Sequence, residues 1–456
     1  MRAKAGRLLK MLRAAACLSV GMGWAQAQAQ VAPPAAVVFE NVRIFDGTSS
    51  ALSEPSNVLV RGNRIESISK QPLAASDAAG ALRIAGNGRT LMPGLIDAHY
   101  HLMMAGMTMP VLMSADVGYL NLLVARTARE LLLRGFTSIR DMAGPSFSIK
   151  RAIDQGLVDG PRIWPSGAMI SQTGGHGDFR MPYEVPAVSG APLSRSEVLN
   201  MGAIADSPDE VRKKTREQLM LGASQIKLAA GGGVASLYDP LDVSQFTEAE
   251  IRAAVEAAEN WGTYVAVHAY TPRAIRTAIA AGVRSIEHGQ LMDEATARLI
   301  AEKGVWLNLQ AFLDNEFANP FPDGSPQRAK QLQMFTGTDN AFNLARKYRI
   351  KLAWGTDILL DPRLTDRPGA ILATMTRWFM PAEVLRIATS SNAELLQLSG
   401  PRSPYPGRLG VVAEGALADL LLVDGNPLED IGLIADPVKN FVVIMKDGRI
   451  YKDITH

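Results

Sequence analysis

Histidine is scarce in this chain, and the positions of the few histidines are its first chemical signal. The 456 residues include only six histidines. Two of them, His99 and His101, are separated by one residue, and residues two apart on a strand point to the same face. His268 and His288 each end a short apolar segment that is typical of a strand. Each feature alone is also typical of surface or core histidines, but together they indicate a metal site.

A lysine and an aspartate stand at the ends of two further apolar segments. Lys227 lies between apolar neighbours, where an ammonium is costly to bury unless it is paired or neutralised. Reaction with CO2 would neutralise it as a carbamate whose two oxygens can bridge two metal ions. A lysine that snorkels or pairs with an acid explains the same position. Asp357 follows Leu-Ala-Trp-Gly-Thr, where a helix N-cap or turn aspartate is the ordinary alternative.

Two more side chains belong with this group. Tyr270 follows His268 by two residues, so its hydroxyl shares the inward face and could donate to a developing oxyanion. A packed barrel tyrosine is the alternative. His176 lies in Ser-Gln-Thr-Gly-Gly-His-Gly-Asp, after a predicted strand at 162–166. Packing explains a histidine among glycines poorly, which favours contact with the substrate or polarisation of its carbonyl.

Loops near these residues are also recognisable. Gly231-Gly232-Gly233 lacks the Lys-Ser/Thr of a phosphate-binding loop, and we expect a flexible loop beside the site instead. Residues 314–326, rich in Asn, Pro and Phe, predict a covering or specificity loop. Arg140, Arg180 and other arginines near the site are candidates to bind a substrate carboxylate, and the sequence does not choose among them.

Alternating strands and helices must position these side chains. Predicted strands at 263–268, 283–288 and 305–310 begin about 20 residues apart, with a helical pattern in each gap. Thr247 and Glu250 form a capping box at the start of one such helix. Repeated βα units over about 290 residues indicate an α/β fold, a closed (β/α)8 TIM barrel whose active site lies at the carboxyl ends of its strands. An open doubly wound sheet is the alternative, but no GxGxxG follows an early strand.

Both ends of the chain carry short strand patterns without helices between them. These patterns lie at 37–45, 57–60, 65–68, 418–423, 441–445 and 449–452. They predict a small β-sandwich domain built from both termini. The predicted boundaries are 30–92 with 390–456 for the sandwich domain, and 93–389 for the barrel.

Residues 1–29 have the features of a secretory signal peptide. Five basic residues and no acid precede residue 30, and an apolar run at 14–24 leads to Ala-Gln-Ala at 25–27. The run is shorter than the roughly 20 apolar residues that span a bilayer, so we expect no stable membrane insertion. We expect a periplasmic or extracellular protein without a thiol, because the single cysteine, Cys17, lies in the leader.

The charge balance argues against nucleic acid as a partner. The formal net charge of the whole chain is +2, but without residues 1–30 there are 42 basic and 45 acidic residues, a net charge of −3. The excess of basic residues therefore lies in the leader, and the charge balance of the rest of the chain does not indicate nucleic-acid binding.

Together, these residues resemble the amidohydrolase superfamily, in the branch whose binuclear centre is held by HxH, lysine, two histidines and aspartate in that order. Within that branch the chain is most similar to the imidazolonepropionase-related group of Xaa-Pro dipeptidases, carboxypeptidases and ochratoxin-degrading amidohydrolases. The resemblance covers nearly the whole mature chain. Its motifs are Met-Pro-Gly-Leu-Ile-Asp-Ala-His at 92–99, Arg-Asp at 140–141, Val-His-Ala-Tyr at 267–270, Ile-Glu-His-Gly at 286–289 and Gly-Ala-Leu-Ala-Asp at 415–419.

The resemblance implies two divalent metal ions bridged by carboxylated Lys227. It places the other ligands as His99, His101 and Asp357 on one ion, and His268 and His288 on the other. Histidine and carboxylate ligands suit zinc, with manganese or cobalt as alternatives. A water shared by two metals gives hydroxide near neutral pH, and that hydroxide would attack the substrate carbonyl. Asp357 is then the general base that passes the proton to the leaving amine.

The expected function is that of an exported metal-dependent amidohydrolase that cleaves dipeptides or N-acyl amino acids, ochratoxin-like amides included. Its partner is a small-molecule or dipeptide substrate, and self-association into a homo-oligomer fits the resemblance. The alternative on the same fold is hydrolysis of cyclic amides, lactones or phosphotriesters. A deaminase is a less favoured alternative, because relatives of that kind use one metal ion and lack the lysine. A non-catalytic metal-binding protein would keep the ligands but would not depend on Asp357 or Tyr270.

The leader generates a first prediction. We expect the exported protein to begin close to residues 28–30, because the Ala-Gln-Ala pattern and the charge asymmetry both place cleavage there. Intact-mass spectrometry of the exported protein measures this directly. Exported protein that retains residues 1–20 would contradict the prediction.

Overall fold

The computed structural model describes residues 36–74, 76, 78–185 and 192–455. The predicted signal peptide at 1–29, with Cys17 and the cleavage pattern at 25–27, lies outside the described residues. Within the described ranges, no helix is both long enough and apolar enough to cross a membrane.

Strands and helices alternate through most of the described chain. The strands are β1 (Ala36–Ile44), β2 (Ser56–Arg61), β3 (Arg64–Ser69), β4 (Leu82–Ala85), β5 (Thr90–Pro93), β6 (Leu95–Tyr100), β7 (Phe136–Asp141), β8 (Arg162–Pro165), β9 (Met169–Ser171), β10 (Gly202–Ile204), β11 (Ile226–Ala229), β12 (Val265–Ala269), β13 (Ser285–His288), β14 (Trp306–Leu309), β15 (Leu352–Trp354), β16 (Leu420–Val423), β17 (Phe441–Lys446) and β18 (Arg449–Asp453).

The α-helices within loops are short, and most of those that connect successive parallel strands are longer. They are α1 (Leu102–Ala105), α2 (Met109–Ser114), α3 (Val117–Leu133), α4 (Phe147–Asp154), α5 (Arg195–Val198), α6 (Pro208–Leu221), α7 (Glu248–Asn260), α8 (Pro272–Ala280), α9 (Glu294–Lys303), α10 (Pro326–Lys347), α11 (Pro368–Ala373), α12 (Pro381–Arg386), α13 (Asn392–Leu396), α14 (Gly432–Ala435) and α15 (Pro437–Asn440). Single 3₁₀ turns occur at Pro182–Glu184, Pro362–Leu364, Thr374–Arg377 and Gln397–Arg402, and a π-helical turn at Ile387–Ser391.

The middle of the chain forms two parallel sheets, as the alternating pattern predicts. One has the order β10-β9-β11-β12-β13-β14-β15 and the other β6-β7-β8. Backbone hydrogen bonds connect the two sheets at two places. Asp357 N–H donates to the His99 carbonyl at 2.8 Å, and Ser224 N–H donates to the Pro165 carbonyl at 2.8 Å. The strands that carry the predicted site residues therefore follow one another in space as well as in sequence.

The helices form where the sequence provides caps and one apolar face. Thr247 and Glu250 make the predicted capping box at the start of α7, and Ile251 on that helix is buried. Asp293 caps α9 by accepting from the Thr296 N–H. Helix faces of this kind cover the outer side of the parallel strands, so polar side chains on the inner side meet each other.

Strands from both ends of the chain share one mixed sheet of eight strands. Its order is β18-β17-β16-β5-β1-β2-β3, with β4 also paired to β1. The six strands predicted at the chain ends all occur within two residues of their predicted bounds. The central pairing is β5 with β16, antiparallel, with Leu91 opposite Leu422. The boundaries predicted at 30–92, 93–389 and 390–456 stay a prediction.

A buried ion pair connects this terminal sheet to the parallel strands. Arg162, the first residue of β8, donates to both carboxylate oxygens of Asp419, at 2.8 and 3.1 Å, and to Asp447 at 2.7 Å. Arg162 and Asp419 are both buried. Two charged-group hydrogen bonds in parallel fix distance and orientation together, so this contact sets the position of the terminal sheet against β8.

Candidate active site

All the predicted site residues line one cavity of about 510 Å³ at the carboxyl ends of the parallel strands. The eight residues are His99, His101, His176, Lys227, His268, Tyr270, His288 and Asp357. They come from six different strand ends and loops, so the fold, rather than any local motif, brings them together.

Three of these residues form a compact cluster of ligand atoms. One atom from each of His99, His101 and Asp357 lies within 4.8 Å of the others, a spacing that could hold a metal ion. The Asp357 carboxylate lies 2.9 Å from Nε2 of His101 and 3.4 Å from Nε2 of His99. Gly355 permits this approach, because a Cβ there would lie 2.3 Å from the backbone nitrogen of His99.

The other predicted ligands surround this cluster. Lys227 is buried, and its Nζ lies 3.4 Å from Nε2 of His99. The His288 ring centroid lies 4.9 Å from that of His99 and 4.5 Å from that of His268. Burial lowers the pKa of Lys227 to about 8, so this amine loses its proton more easily than an exposed lysine.

Hydrogen-bond partners fix which nitrogen each imidazole presents to the centre. Nδ1 of His99 donates to the Glu287 carboxylate at 2.8 Å, and Nδ1 of His288 donates to Oε1 of Gln310 at 2.7 Å. In both rings the lone pair therefore lies on Nε2, which faces the cluster. His268 uses its Nε2 to donate to the Gly232 carbonyl at 2.9 Å, which leaves Nδ1 as its ligand nitrogen.

Burial keeps these imidazoles neutral. The pKa of His99 lies well below the ordinary value, first because of burial and then because of the Lys227 ammonium nearby. Burial likewise lowers the pKa values of His268 and His288 well below the ordinary value. A metal ligand must be a neutral imidazole, so these environments favour coordination over protonation.

His176 reaches the same cluster from the glycine-rich loop. Its ring stacks on that of His268, with centroids 4.0 Å apart, and its Nδ1 lies 3.0 Å from the Ser236 hydroxyl. Burial lowers the pKa of His176 to about 4. A Cβ at Gly233 would lie 1.8 Å from Nδ1 of His176, so the triple-glycine segment at 231–233 gives this ring its space.

Tyr270 packs against the two strand-end histidines, His268 and His288. Its ring centroid lies 4.8 Å from that of His268 and 5.2 Å from that of His288. Burial raises the pKa of Tyr270 well above the ordinary value, so its hydroxyl keeps its proton. A protonated hydroxyl beside the cluster can donate to an oxygen that becomes negative.

The two arginines considered for a substrate carboxylate are both engaged elsewhere. Arg140 is buried, and its Nη2 donates to Glu287 at 2.6 Å. Arg180 pairs with Asp178, at 2.5 Å between Nη2 and Oδ2. Neither lines the cavity within the described part of the chain. Their positions therefore do not support either of these two candidates as the residue that binds a substrate carboxylate.

Sequence reasoning missed the side chains that orient the predicted ligands. Glu287 accepts from His99, from Arg140 and, at 2.6 Å, from the Ser285 hydroxyl, and it is completely buried. The available signal was a carboxylate inside the short strand Ser285–His288, directly before the predicted ligand His288. Gln310 gave no such signal, because a glutamine after a strand is common.

Known proteins resemble this chain in both sequence and fold. Residues 90–454 match the Amidohydrolase family. The chain is 33% identical over 388 residues to the ochratoxinase of Aspergillus niger, covering 79% of this chain and 75% of the ochratoxinase. A solved amidohydrolase superposes with a TM-score of 0.82 at 34% identity, over 92% of this chain and 99% of that one. A prolidase solved with N-methylphosphonate-L-proline has a TM-score of 0.81 at 34% identity, over 92% and 100%.

The Glu287 contacts generate a second prediction. We expect Glu287→Gln to destabilise the protein by about 3–5 kcal/mol, because it leaves the buried guanidinium of Arg140 without a counter-charge. Denaturant unfolding measures this loss. The double variant Arg140→Gln, Glu287→Gln should lose less than the sum of the two single changes.

A matched control for this prediction is Glu256→Gln, since Glu256 lies on the surface 3.5 Å from Arg212. This variant should unfold close to the unaltered protein, because exposed ion pairs contribute little. Equal stability losses from Glu287→Gln and Glu256→Gln would contradict the role given to Glu287.

Proposed function

The chain belongs to the amidohydrolase family and is a hydrolase of amide bonds, and from that premise we propose that it is an exported, metal-dependent enzyme cleaving dipeptides or N-acyl amino acids. The observation that carries the proposal is the convergence of six ligand-type side chains at the base of one cavity. The names of the similar proteins, an ochratoxinase and a prolidase, support amides of this kind as substrates. The basic and apolar leader at 1–29 supports export.

We propose further that the parallel strands close into a (β/α)8 barrel, with the terminal strands as a composite β-sandwich. The eight barrel strands are then β6, β7, β8, β11, β12, β13, β14 and β15. The hydrogen bonds from Asp357 to His99 and from Ser224 to Pro165 support closure, because they connect the end of β15 to β6 and the start of β11 to the end of β8. The residue ranges are 93–389 for the barrel, and 30–92 with 390–456 for the sandwich.

The ligand atoms at the centre fit divalent metal ions. The lone pair on Nε2 of His99 faces an Asp357 carboxylate oxygen at 3.4 Å, and two acceptors at that distance repel unless a cation lies between them. The ligands are nitrogen and oxygen atoms, which suit zinc, with manganese or cobalt as alternatives. We assign His99, His101 and Asp357 to one ion, and His268 and His288 to the other, with carboxylated Lys227 holding both.

Bound metal ions would supply a water nucleophile at neutral pH and polarise the scissile carbonyl. The residues of this chain then move protons and hold the substrate. Asp357 accepts a proton from the attacking water and delivers it to the leaving amine. The Tyr270 hydroxyl donates to the oxygen of the tetrahedral intermediate. His176, stacked on His268, contacts the substrate carbonyl from the side of the glycine-rich loop.

The third prediction tests the metal requirement. We expect a chelator to abolish amide hydrolysis and added Zn²⁺, Mn²⁺ or Co²⁺ to restore it, because the histidine and carboxylate ligands serve to hold these ions. Amine release from an N-acyl amino acid measures activity, and elemental analysis measures metal content. Full activity in protein shown to be free of metal would overturn the proposal.

The fourth prediction concerns Lys227. Lys227→Ala should bind less than two metal equivalents and lose nearly all activity, because one change removes a ligand from both ions. A short carboxylate such as acetate should restore some rate by filling the vacated space. Lys227→Arg should also fail, because a guanidinium keeps its positive charge beside the metals.

The control for this prediction is Lys303→Ala, on the exposed end of α9. That variant should keep both the metal content and the rate of the unaltered protein. Circular dichroism confirms that each variant is folded before metal analysis. A folded Lys227→Ala protein with two metal equivalents and near-normal turnover would show that Lys227 is an ordinary interior lysine.

A further inference from the structure

The walls of the cavity are far more apolar than the cluster at its base. Large apolar side chains line it from several loops and from α10: Phe179, Phe312, Phe317, Phe321, Met334 and Leu360. The predicted covering loop at 314–326 contributes Phe317 and Phe321, so it does line the cavity. A pocket of about 510 Å³ has room for a substrate considerably larger than a small dipeptide.

Formal charge is confined to the base of this cavity. Among the described residues that line it, Lys227 and Asp357 are the formally charged side chains, and both belong to the ligand cluster. Arginines near the covering loop already have acidic partners. Arg328 donates to Asp314 at 2.9 Å, and Arg367 lies 3.3 Å from the Glu316 carboxylate. A charged group on the substituent that lies against these walls would therefore have no partner.

The neutral amide side chains in the cavity wall already form hydrogen bonds with neighbouring groups of the protein. Oδ1 of Asn315 accepts from the Phe317 N–H at 2.9 Å, and Nε2 of Gln331 donates to the Asn319 carbonyl at 3.0 Å. Oε1 of Gln331 accepts from Arg328 at 2.7 Å. These contacts hold the covering loop against α10 and leave the apolar faces of the phenylalanines toward the cavity.

We propose, resting on the proposed function, that this enzyme selects amides whose larger substituent is bulky, uncharged and apolar, best of all an aromatic ring. Aromatic side chains in a preformed pocket favour flat apolar groups, and burying a charge there without a partner is costly. The reaction itself is ordinary hydrolysis. The amide C–N bond breaks, the hydroxyl of water joins the acyl carbon and the proton goes to the amine.

A series of N-acyl-L-phenylalanines tests this selection, because the leaving amine stays constant. The acyl groups are acetyl, benzoyl, 2-naphthoyl, 4-carboxybenzoyl and 4-(aminomethyl)benzoyl, and released phenylalanine is measured with metal-loaded enzyme. We expect kcat/KM to be at least about tenfold higher for 2-naphthoyl than for acetyl. We expect it to be about a hundredfold lower for each charged benzoyl group than for benzoyl itself.

The outcomes separate this inference from the proposed function. Values of kcat/KM that are equal within about threefold across the series, or higher for the charged groups, would overturn the inference alone. If the enzyme, with its full metal complement, hydrolyses none of these amides, the proposed function fails and the inference fails with it.

Charged variants of the wall provide a second test. Phe321→Lys should raise the ratio of kcat/KM for 4-carboxybenzoyl to that for benzoyl by about tenfold, because it adds a counter-charge to the wall. The control is Leu332→Lys on α10, which adds the same charge at an exposed residue outside the lining. If Phe321→Lys is unfolded by circular dichroism, Phe317→Lys takes its place. An unchanged ratio in the folded wall variant would overturn the inference.

Discussion

The buried ion pair between Arg140 and Glu287 is the interaction on which the active site depends most. Arg140 also donates to the Ala98 carbonyl at 2.6 Å and to the Tyr264 hydroxyl at 3.1 Å, so one side chain links β6, β7 and the residues before β12. The Glu287 carboxylate also accepts a hydrogen bond from Nδ1 of His99. A buried pair of this kind adds little to the free energy of unfolding by itself. Removing one partner, however, leaves the charge of the other buried and unpaired, which is strongly destabilising. The ion pair fixes the Glu287 carboxylate, and Glu287 in turn fixes the orientation of the His99 ring.

How far the sequence predicts this arrangement depends on the kind of contact. Strand periodicity predicts which face a side chain occupies, and it therefore placed His99 with His101 on one strand and His268 with Tyr270 on another. It contains no information on hydrogen-bond partners across the interior, so Glu287 and Gln310 were missed. Helix α10 was missed as well, because Gly337 and several β-branched or polar residues interrupt its pattern. Gly337 is explained only in three dimensions, since a Cβ there would lie 2.1 Å from the Gln290 carbonyl.

Backbone conformation at the site was also beyond the reach of the sequence. His288 and Asp357 have φ angles of 82° and 56°, in the left-handed region that non-glycine residues rarely adopt. Each such residue costs about 1–3 kcal/mol, and surrounding structure must hold it there. The Asp357 backbone is held by its hydrogen bond to the His99 carbonyl. The strained residues are thus two of the predicted ligands, and regular strand geometry would aim their side chains differently.

The pairing of β5 with β16 has a consequence for how the chain reaches its native state. These strands bracket the whole set of strands between residues 95 and 354, so β5 cannot pair with β16 until nearly all of the chain has been synthesised. Such a high contact order slows folding and leaves β5 with a bare edge in the meantime. A chain that stops before β16 would contain every predicted ligand and still lack the neighbour that covers β5. Premature termination late in translation should therefore produce aggregation rather than a smaller working enzyme.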